Sequence, residues 1–479
     1  MTQAFRIAEI ELLEHPVVLR MPFRFGVVTL RRCHQAFVRA RIETPDGRSG
    51  WGASAEMIVP KWFDKNQALS DEDNFNQERD VLHLARQAYL SDTQPTTAFG
   101  HFARHHHAHV SVSAARGHNP LLANYGPALV DRAVIDAVCR LHGVSFYRAV
   151  QSNLLGLDAS MAEFAGMDWN AFLSSLRPAT RIHARHTVGM LDAIRTDELA
   201  EPVGDGLPES LEQVIQCYGQ RHFKLKVGGQ LQADVERLTR IASVLDTLTH
   251  PYQVTLDGNE QYPDAPGLRA LLEAMRASPA LQRLNASILF IEQPVTRQNA
   301  LTTDLRQTDL GWPVIIDESD GELDAFVRAR ACGYSGISSK TCKGVYRSLL
   351  NAARCHRWNR EEPGRYFMSG EDLTVQAGLS LQQDLALVNL LGITHVERNG
   401  HHYVNGLASR PEVEQRDFQR AHPDVYEHSH GATRLQIREG SIYIASLDQV
   451  GYATGAMPDF SAMVPLDFPR YGRQTRASN

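Results

Sequence analysis

The chain has 479 residues, with 49 Lys and Arg against 55 Asp and Glu and a formal net charge of −6. This mild acidic balance with mixed signs argues against a nucleic-acid face or a polybasic membrane anchor, and nowhere do the roughly 18 consecutive apolar residues of a membrane span occur. The length exceeds one ordinary core and suits a barrel of about 220 to 250 residues plus a second domain.

The N-terminus, Met1-Thr2-Gln3-Ala4-Phe5-Arg6, lacks an apolar stretch of signal length, so a soluble cytoplasmic protein is expected. Strand-like alternation follows in Arg6 to Leu12 and again in Ala36 to Ile42, with a Pro45-Asp46-Gly47 turn before Gly50-Trp51-Gly52. Together these predict a small antiparallel sheet. Between them, Met21-Pro22-Phe23-Arg24-Phe25-Gly26 offers an apolar wall with one cation, and Arg24 could pair with a carboxylate. The bland alternative is a solvated hairpin whose phenylalanines pack beneath the sheet.

Residues from about 57 to 120 look inserted. They contain Trp62, the acidic run Asp71-Glu72-Asp73, and His101 to His109 with His105-His106-His107 and His109. Clustered histidines can ligate a transition metal. Adjacent residues cannot all face one ion in a regular element, so a helical insertion touching the site or a neighbouring subunit is the preferred reading. A helix around Ala128 to Leu141 follows, with Val130, Val134, Ala137, Val138 and Leu141 on one stripe. Cys33, Cys139, Cys217, Cys332, Cys342 and Cys355 are dispersed, without a Cys-x-x-Cys pair, and are expected to be reduced thiols.

Five apolar runs in the middle of the chain each end in a charged residue: Phe223 to Lys226, Val254 to Asp257, Leu289 to Glu292, Val314 to Asp317 and Gly336 to Lys340. Their starts lie roughly 20 to 35 residues apart, the length of a repeated βα unit. In a parallel β/α barrel all C-terminal strand ends face one rim. Three carboxylates and several lysines would therefore meet there. A lone strand-end aspartate is usually a cap, but crowded carboxylates need a cation, and an all-oxygen set favours a hard ion such as Mg²⁺. Asp257, Glu292 and Asp317 are read as metal ligands, with Mn²⁺ as the alternative ion. A lysine beside such an ion loses its preference for the ammonium form, which makes Lys226 and Lys340 proton carriers. The longer interval between Asp257 and Glu292, with Pro263, Pro266 and Pro279, predicts extra loop.

The order Lys-x-Lys, Asp-x-Asn, Glu-Gln-Pro, Asp-Glu-Ser and a later strand lysine resembles the enolase superfamily, nearest the muconate lactonizing enzyme subgroup of the mandelate racemase/muconate lactonizing enzyme group. The resemblance covers roughly residues 180 to 400 well and the N-terminal part more loosely. It implies Lys226 and Lys340 as catalytic acid/bases, Asp257, Glu292 and Asp317 as Mg²⁺ ligands, and a cap whose loops select the substrate. The family commonly has a Gly-Gly pair shortly after the last lysine, whereas this chain reads Lys340-Thr341-Cys342-Lys343-Gly344-Val345. Lys340 and Lys343 thus both remain open for the inward position; strand alternation, which pairs Lys340 with Ser338, favours Lys340. Lys224, Asn259, Glu318 and Glu397 are candidate substrate contacts or ligand-orienting residues, each against an ion-pair or loop-capping role.

The expected architecture is α/β, a modified (β/α)7β TIM-like barrel over 181–400 with an α+β capping domain over 1–150 and a linker over 151–180. A C-terminal extension over 401–479 is expected to complete the cap. Within it, Glu439-Gly440 is a hairpin signal between Leu435 to Arg438 and Ser441 to Ile444, and the polar run Arg470 to Asn479 is expected to be disordered. The expected activity is Mg²⁺-dependent removal of the α-proton of a small carboxylate substrate through a stabilised enediolate, with a racemase, epimerase or cycloisomerase outcome because two lysines are present. A dehydratase or other lyase acting on an acid sugar is the alternative, and a catalytically silent metal-binding scaffold is another. A homo-oligomer is expected from the resemblance alone.

Overall fold

Apolar alternation at the N-terminus produces three strands of a four-stranded antiparallel sheet, β1 (Arg6–Phe25), β2 (Val28–Glu43) and β3 (Ser49–Ile58). The computed structural model describes residues 3–26, 28–158 and 161–467; the run Arg470 to Asn479 lies outside the described residues. The 57–120 segment is largely helical. It holds α1 (Asp71–Ser91), opened by a reciprocal Ser70 and Asp73 capping box, then α2 (Ala98–Ala115) and the short α3 (Pro120–Ala123). Next comes α4 (Tyr125–His142), which lies against the sheet. At Gly52 on β3 an added Cβ would fall 2.2 Å from both Ala133 O and Ala137 N, so strand and helix meet backbone to backbone.

Eight parallel strands form the second unit: β4 (Arg181–Val188), β5 (His222–Lys226), β6 (Gln253–Asp257), β7 (Ile288–Glu292), β8 (Val314–Ile316), β9 (Gly336–Ser339), β10 (Phe367–Gly370) and β11 (His395–Glu397). Pairing of β11 with β4 closes the barrel expected from the sequence. The long interval before Glu292 is not extra loop. It is filled by the helix Ala265–Ala277, with Pro266 in its first turn where no amide donor is needed, and the short helix Gln282–Ala286.

The tail contacts both units. A hairpin of β12 (Tyr426–Ser429) and β13 (Ala432–Leu435) precedes β14 (Ser441–Tyr443), which adds antiparallel to β4, and β15 (Val464–Pro465) pairs with Leu13 and Glu14 of β1. The Glu439-Gly440 turn forms, with positive φ at both residues and reciprocal bonds between Arg438 and Ser441. Its arms do not continue as one hairpin, because β13 is already paired with β12 and β14 with the barrel. All six cysteines are free, and no helix among the described residues is long and apolar enough to cross a membrane.

Candidate active site

Alternation along β5 turns Lys224 and Lys226 to the barrel interior and Phe223 and Leu225 to its outer packing layer. Register then sets Lys226 opposite Asp257, and Asp257 opposite Glu292. Lys226 Nζ lies 2.6 Å from Asp257 Oδ2. Lys224 Nζ is 2.9 Å from the same oxygen, 2.7 Å from Glu292 Oε2, 2.8 Å from Glu371 Oε2 and 2.9 Å from Glu397 Oε2. It is the hub of four buried carboxylates. Burial alone would lower its pKa, but those carboxylates hold it well above the ordinary lysine value.

Both lysines left open after β9 reach Asp317. Lys340 Nζ is 2.7 Å from Oδ2 and Lys343 Nζ 2.9 Å from Oδ1. Only Lys340 lines the cavity; Lys343 sits behind the carboxylate, donating to Ser338 Oγ at 2.7 Å and to the Asp317 carbonyl at 2.8 Å. Burial pulls the Lys340 pKa down, yet the carboxylates around it, Asp317 foremost with Glu292 and Glu397, together raise it above the ordinary value. Asp317 itself is held well below the carboxylate range, since Lys340, Lys343 and Lys224 outweigh its burial.

Glu292 differs from its neighbours. Its carboxylate is fully buried, Oε1 has no hydrogen-bond donor, and Oε2 has Lys224 near but not aligned as a hydrogen bond. Burial and the charges of Asp257 and Glu371 raise its pKa well above the usual range. An orphaned buried carboxylate between two others, all oxygen donors at successive strand ends, fits a hard divalent cation.

The remaining candidates divide. The Asn259 amide donates to Asp257 Oδ1 at 2.8 Å, and its side chain donates to Glu318 Oε1 at 3.2 Å. Glu397 accepts from Thr187 at 2.5 Å and from Lys224, and lines the cavity. Arg24 is not brought in: Phe23 and Phe25 are buried and line the cavity, and Arg24 between them is exposed on the other face of β1.

Several neighbours escaped the sequence reading. Glu371 follows β10 directly and ion-pairs with Lys224 and with Arg185 of β4, which is fully buried. From the insertion, Trp62 lines the cavity with its ring over Lys340, while Lys65 pairs with Glu260 and donates to the Asn259 carbonyl at 2.9 Å. The strand-end rule that found Glu292 extends to Glu371. The reading of the 57–120 segment as one that touches the site is met by Trp62 and Lys65, although the sequence does not single out these two residues within it.

A family model described as Enolase C-terminal domain-like matches residues 206–446, half of the chain. This chain belongs to the enolase superfamily. It is an enzyme of the mandelate racemase/muconate lactonizing enzyme group, and solved structures of that superfamily share its fold throughout. The muconate lactonizing enzyme from Pseudomonas fluorescens complexed with muconolactone is 16% identical, covering 95% of this chain and 96% of that one at a TM-score of 0.58. The dipeptide epimerase from Enterococcus faecalis V583, complexed with Mg and the dipeptide L-Leu-L-Tyr, is 16% identical over 91% of this chain and 99% of its own, with a TM-score of 0.58. An enolase from Bradyrhizobium complexed with magnesium and mandelic acid is 17% identical over 96% and 98%, with a TM-score of 0.58. No curated protein matches the sequence. At these identities the structures show the superfamily fold, and the reaction of this member rests on its own residues.

Proposed function

We propose that this superfamily member removes the α-proton of a small carboxylate substrate, using a divalent cation, Mg²⁺ or alternatively Mn²⁺, held by Asp257, Glu292 and Asp317. The ion would supply Lewis-acid stabilisation of the negative charge that grows on the substrate carboxylate. The observation that carries the reading is the placement of Lys226 and Lys340 in one cavity, from strands β5 and β9, which stand four apart in an eight-stranded barrel and so face each other across it.

A substrate lying between them presents one face to each lysine. In its neutral form one lysine accepts the α-proton at Nζ, leaving a planar centre. The other, as ammonium, delivers a proton to the opposite face, and the centre inverts. Asn259 steadies Asp257 through its amide, and Lys343 and Ser338 steady Asp317, so the carboxylates keep their orientation while the lysines exchange protons. Phe23, Phe25 and Trp62 line the cavity with apolar surface, which would limit water along the proton-transfer path. This symmetry favours racemisation, epimerisation or cycloisomerisation over elimination, which needs a β-leaving group in the substrate.

Incubating the Mg²⁺-loaded protein in D₂O with pooled dipeptides, N-acyl amino acids and sugar acids, and following α-deuteration by mass spectrometry, tests this. Exchange that requires metal and disappears in Lys226→Ala supports it, and Lys340→Ala then reports which face each lysine serves. Metal binding without exchange of any acid would favour a silent scaffold.

A further inference from the structure

We propose a metal site in the cap, outside the barrel, built by Asp92, His101 and His105 and suited to a borderline transition-metal ion such as Zn²⁺. His101 and His105 stand four residues apart on α2 and share one face of the helix. Asp92 caps the C-terminal end of α1 and points at that face. One ligand atom from each of the three lies within 4.8 Å of the other two. The histidine run thus resolves into a spaced pair, and its consecutive members play no common role.

The decisive detail is the orientation of His101. The residue is fully buried, and its Nε2 lies 3.0 Å from the carbonyl oxygen of Phe5. A carbonyl only accepts, so Nε2 carries the proton and Nδ1 presents a lone pair. Nδ1 has no hydrogen-bond partner and faces Asp92 Oδ2 at 3.7 Å. Nδ1 and Asp92 Oδ2, which accepts from Arg104, thus face each other as two acceptors, an arrangement that a cation between them would satisfy. An imidazole that donates its far N–H to a backbone carbonyl is also the arrangement that orients a ligating histidine. His105 Nε2 lies 3.2 Å from the same carboxylate oxygen, donating to it in one tautomer and presenting a lone pair for an ion in the other. Tetrahedral zinc, with Zn–N near 2.0–2.1 Å, places its donors about 3.3–3.5 Å apart, so small side-chain adjustments complete three corners and leave a fourth for water.

One group competes. Arg104 pairs with Asp92 Oδ2, but its side chain is 41% exposed and can turn to solvent. The donor set, two nitrogens and one oxygen, is softer than the all-oxygen barrel set, so Zn²⁺ selects the cap and Mg²⁺ the barrel. Bound there, the ion would tie the end of α1, the first turns of α2 and, through His101, the chain entering β1.

Calorimetric titration of the full chain with ZnCl₂ in excess Mg²⁺ tests the site. One Zn²⁺ per chain is expected, bound about tenfold or more weakly in His105→Gln and unchanged in the exposed-site control His107→Gln. In Arg104→Ala binding should tighten, because Asp92 loses its competitor; an ion pair without a metal role predicts no such gain. His105 is partly exposed, and circular dichroism of its variant separates lost binding from lost fold. Undiminished stoichiometric binding in a folded His105→Gln, no binding in the wild type, or no gain in Arg104→Ala overturns the three-ligand site.

Discussion

The indole ring of Trp62 covers the ammonium of Lys340, whose Nζ lies 4.3 Å from the ring centroid. The ring belongs to the segment over 57–120, and that segment is fastened to the barrel by Arg297, which donates to the carbonyls of Trp62 at 2.9 Å and Phe63 at 2.7 Å. A desolvated cation–π contact contributes about 0.5–2 kcal/mol, so Trp62→Ala should lower kcat/KM about 2- to 30-fold for a substrate identified by α-deuteration. Trp62→Phe should fall between that variant and the wild type. Equal kinetics in all three would reduce the ring to packing.

Lys224 makes a stability prediction. Its ammonium is shared by Asp257, Glu292, Glu371 and Glu397, all buried, so Lys224→Met strands four carboxylates without their common cation. Breaking a buried ion pair costs about 3–5 kcal/mol. Urea unfolding should show a loss of that order in the presence of chelator, recovered in part by Mg²⁺, which would return positive charge to two of the four carboxylates, Asp257 and Glu292. A loss under about 1 kcal/mol, typical of a surface change, would mean the carboxylates are protonated and need no cation.

Five strands of the barrel rim, β5 to β9, were legible because each announces itself twice, by an apolar run and by the charge that ends it. Period-two alternation then decides direction: Ser338 and Lys340 point inward together, and the same rule applied to Phe23 and Phe25 turns Arg24 outward once the phenylalanines are known to be buried. Glu371 was missed because the four residues of β10, Phe-Met-Ser-Gly, lack a clean apolar run. Lys343 was ambiguous because a single 3₁₀ turn, Thr341–Lys343, curls its side chain back to Asp317, a local bend that alternation does not describe. Trp62 and Lys65 were out of reach for a different reason. Their approach to the barrel depends on tertiary placement of a short aperiodic stretch between β3 and α1.

Gly52 joins the cap sheet to its helix. An added methyl carbon would sit 2.2 Å from Ala133 O and Ala137 N, backbone atoms that cannot rotate away. Gly52→Ala should therefore force α4 off β3 and cost about 1–3 kcal/mol or more. Gly267→Ala, where the nearest atom is 3.4 Å away on Tyr262, serves as the control and should change stability by less than about 1 kcal/mol. Matched thermal melts of the two variants decide the point, and equal melting temperatures would show that the helix shifts at no cost.

Asp131 on α4 supplies a pH dependence remote from the barrel. Burial pushes its carboxyl up to about 8, against the partial relief of a 2.7 Å hydrogen bond from Tyr89. An unfolded aspartate titrates near pH 3.9, so between about pH 4 and 8 the folded chain holds a proton that the unfolded chain has released. Stability from this group is complete below that window and falls as pH rises through it, by about 1.4 kcal/mol per pH unit. Asp131→Asn keeps a neutral side chain of the same shape and should remove this slope, so the variant gains on the wild type as pH climbs from 5 to about 8. Parallel unfolding curves across that range, with wild type and variant shifting together, would show that Asp131 ionises freely in the folded protein.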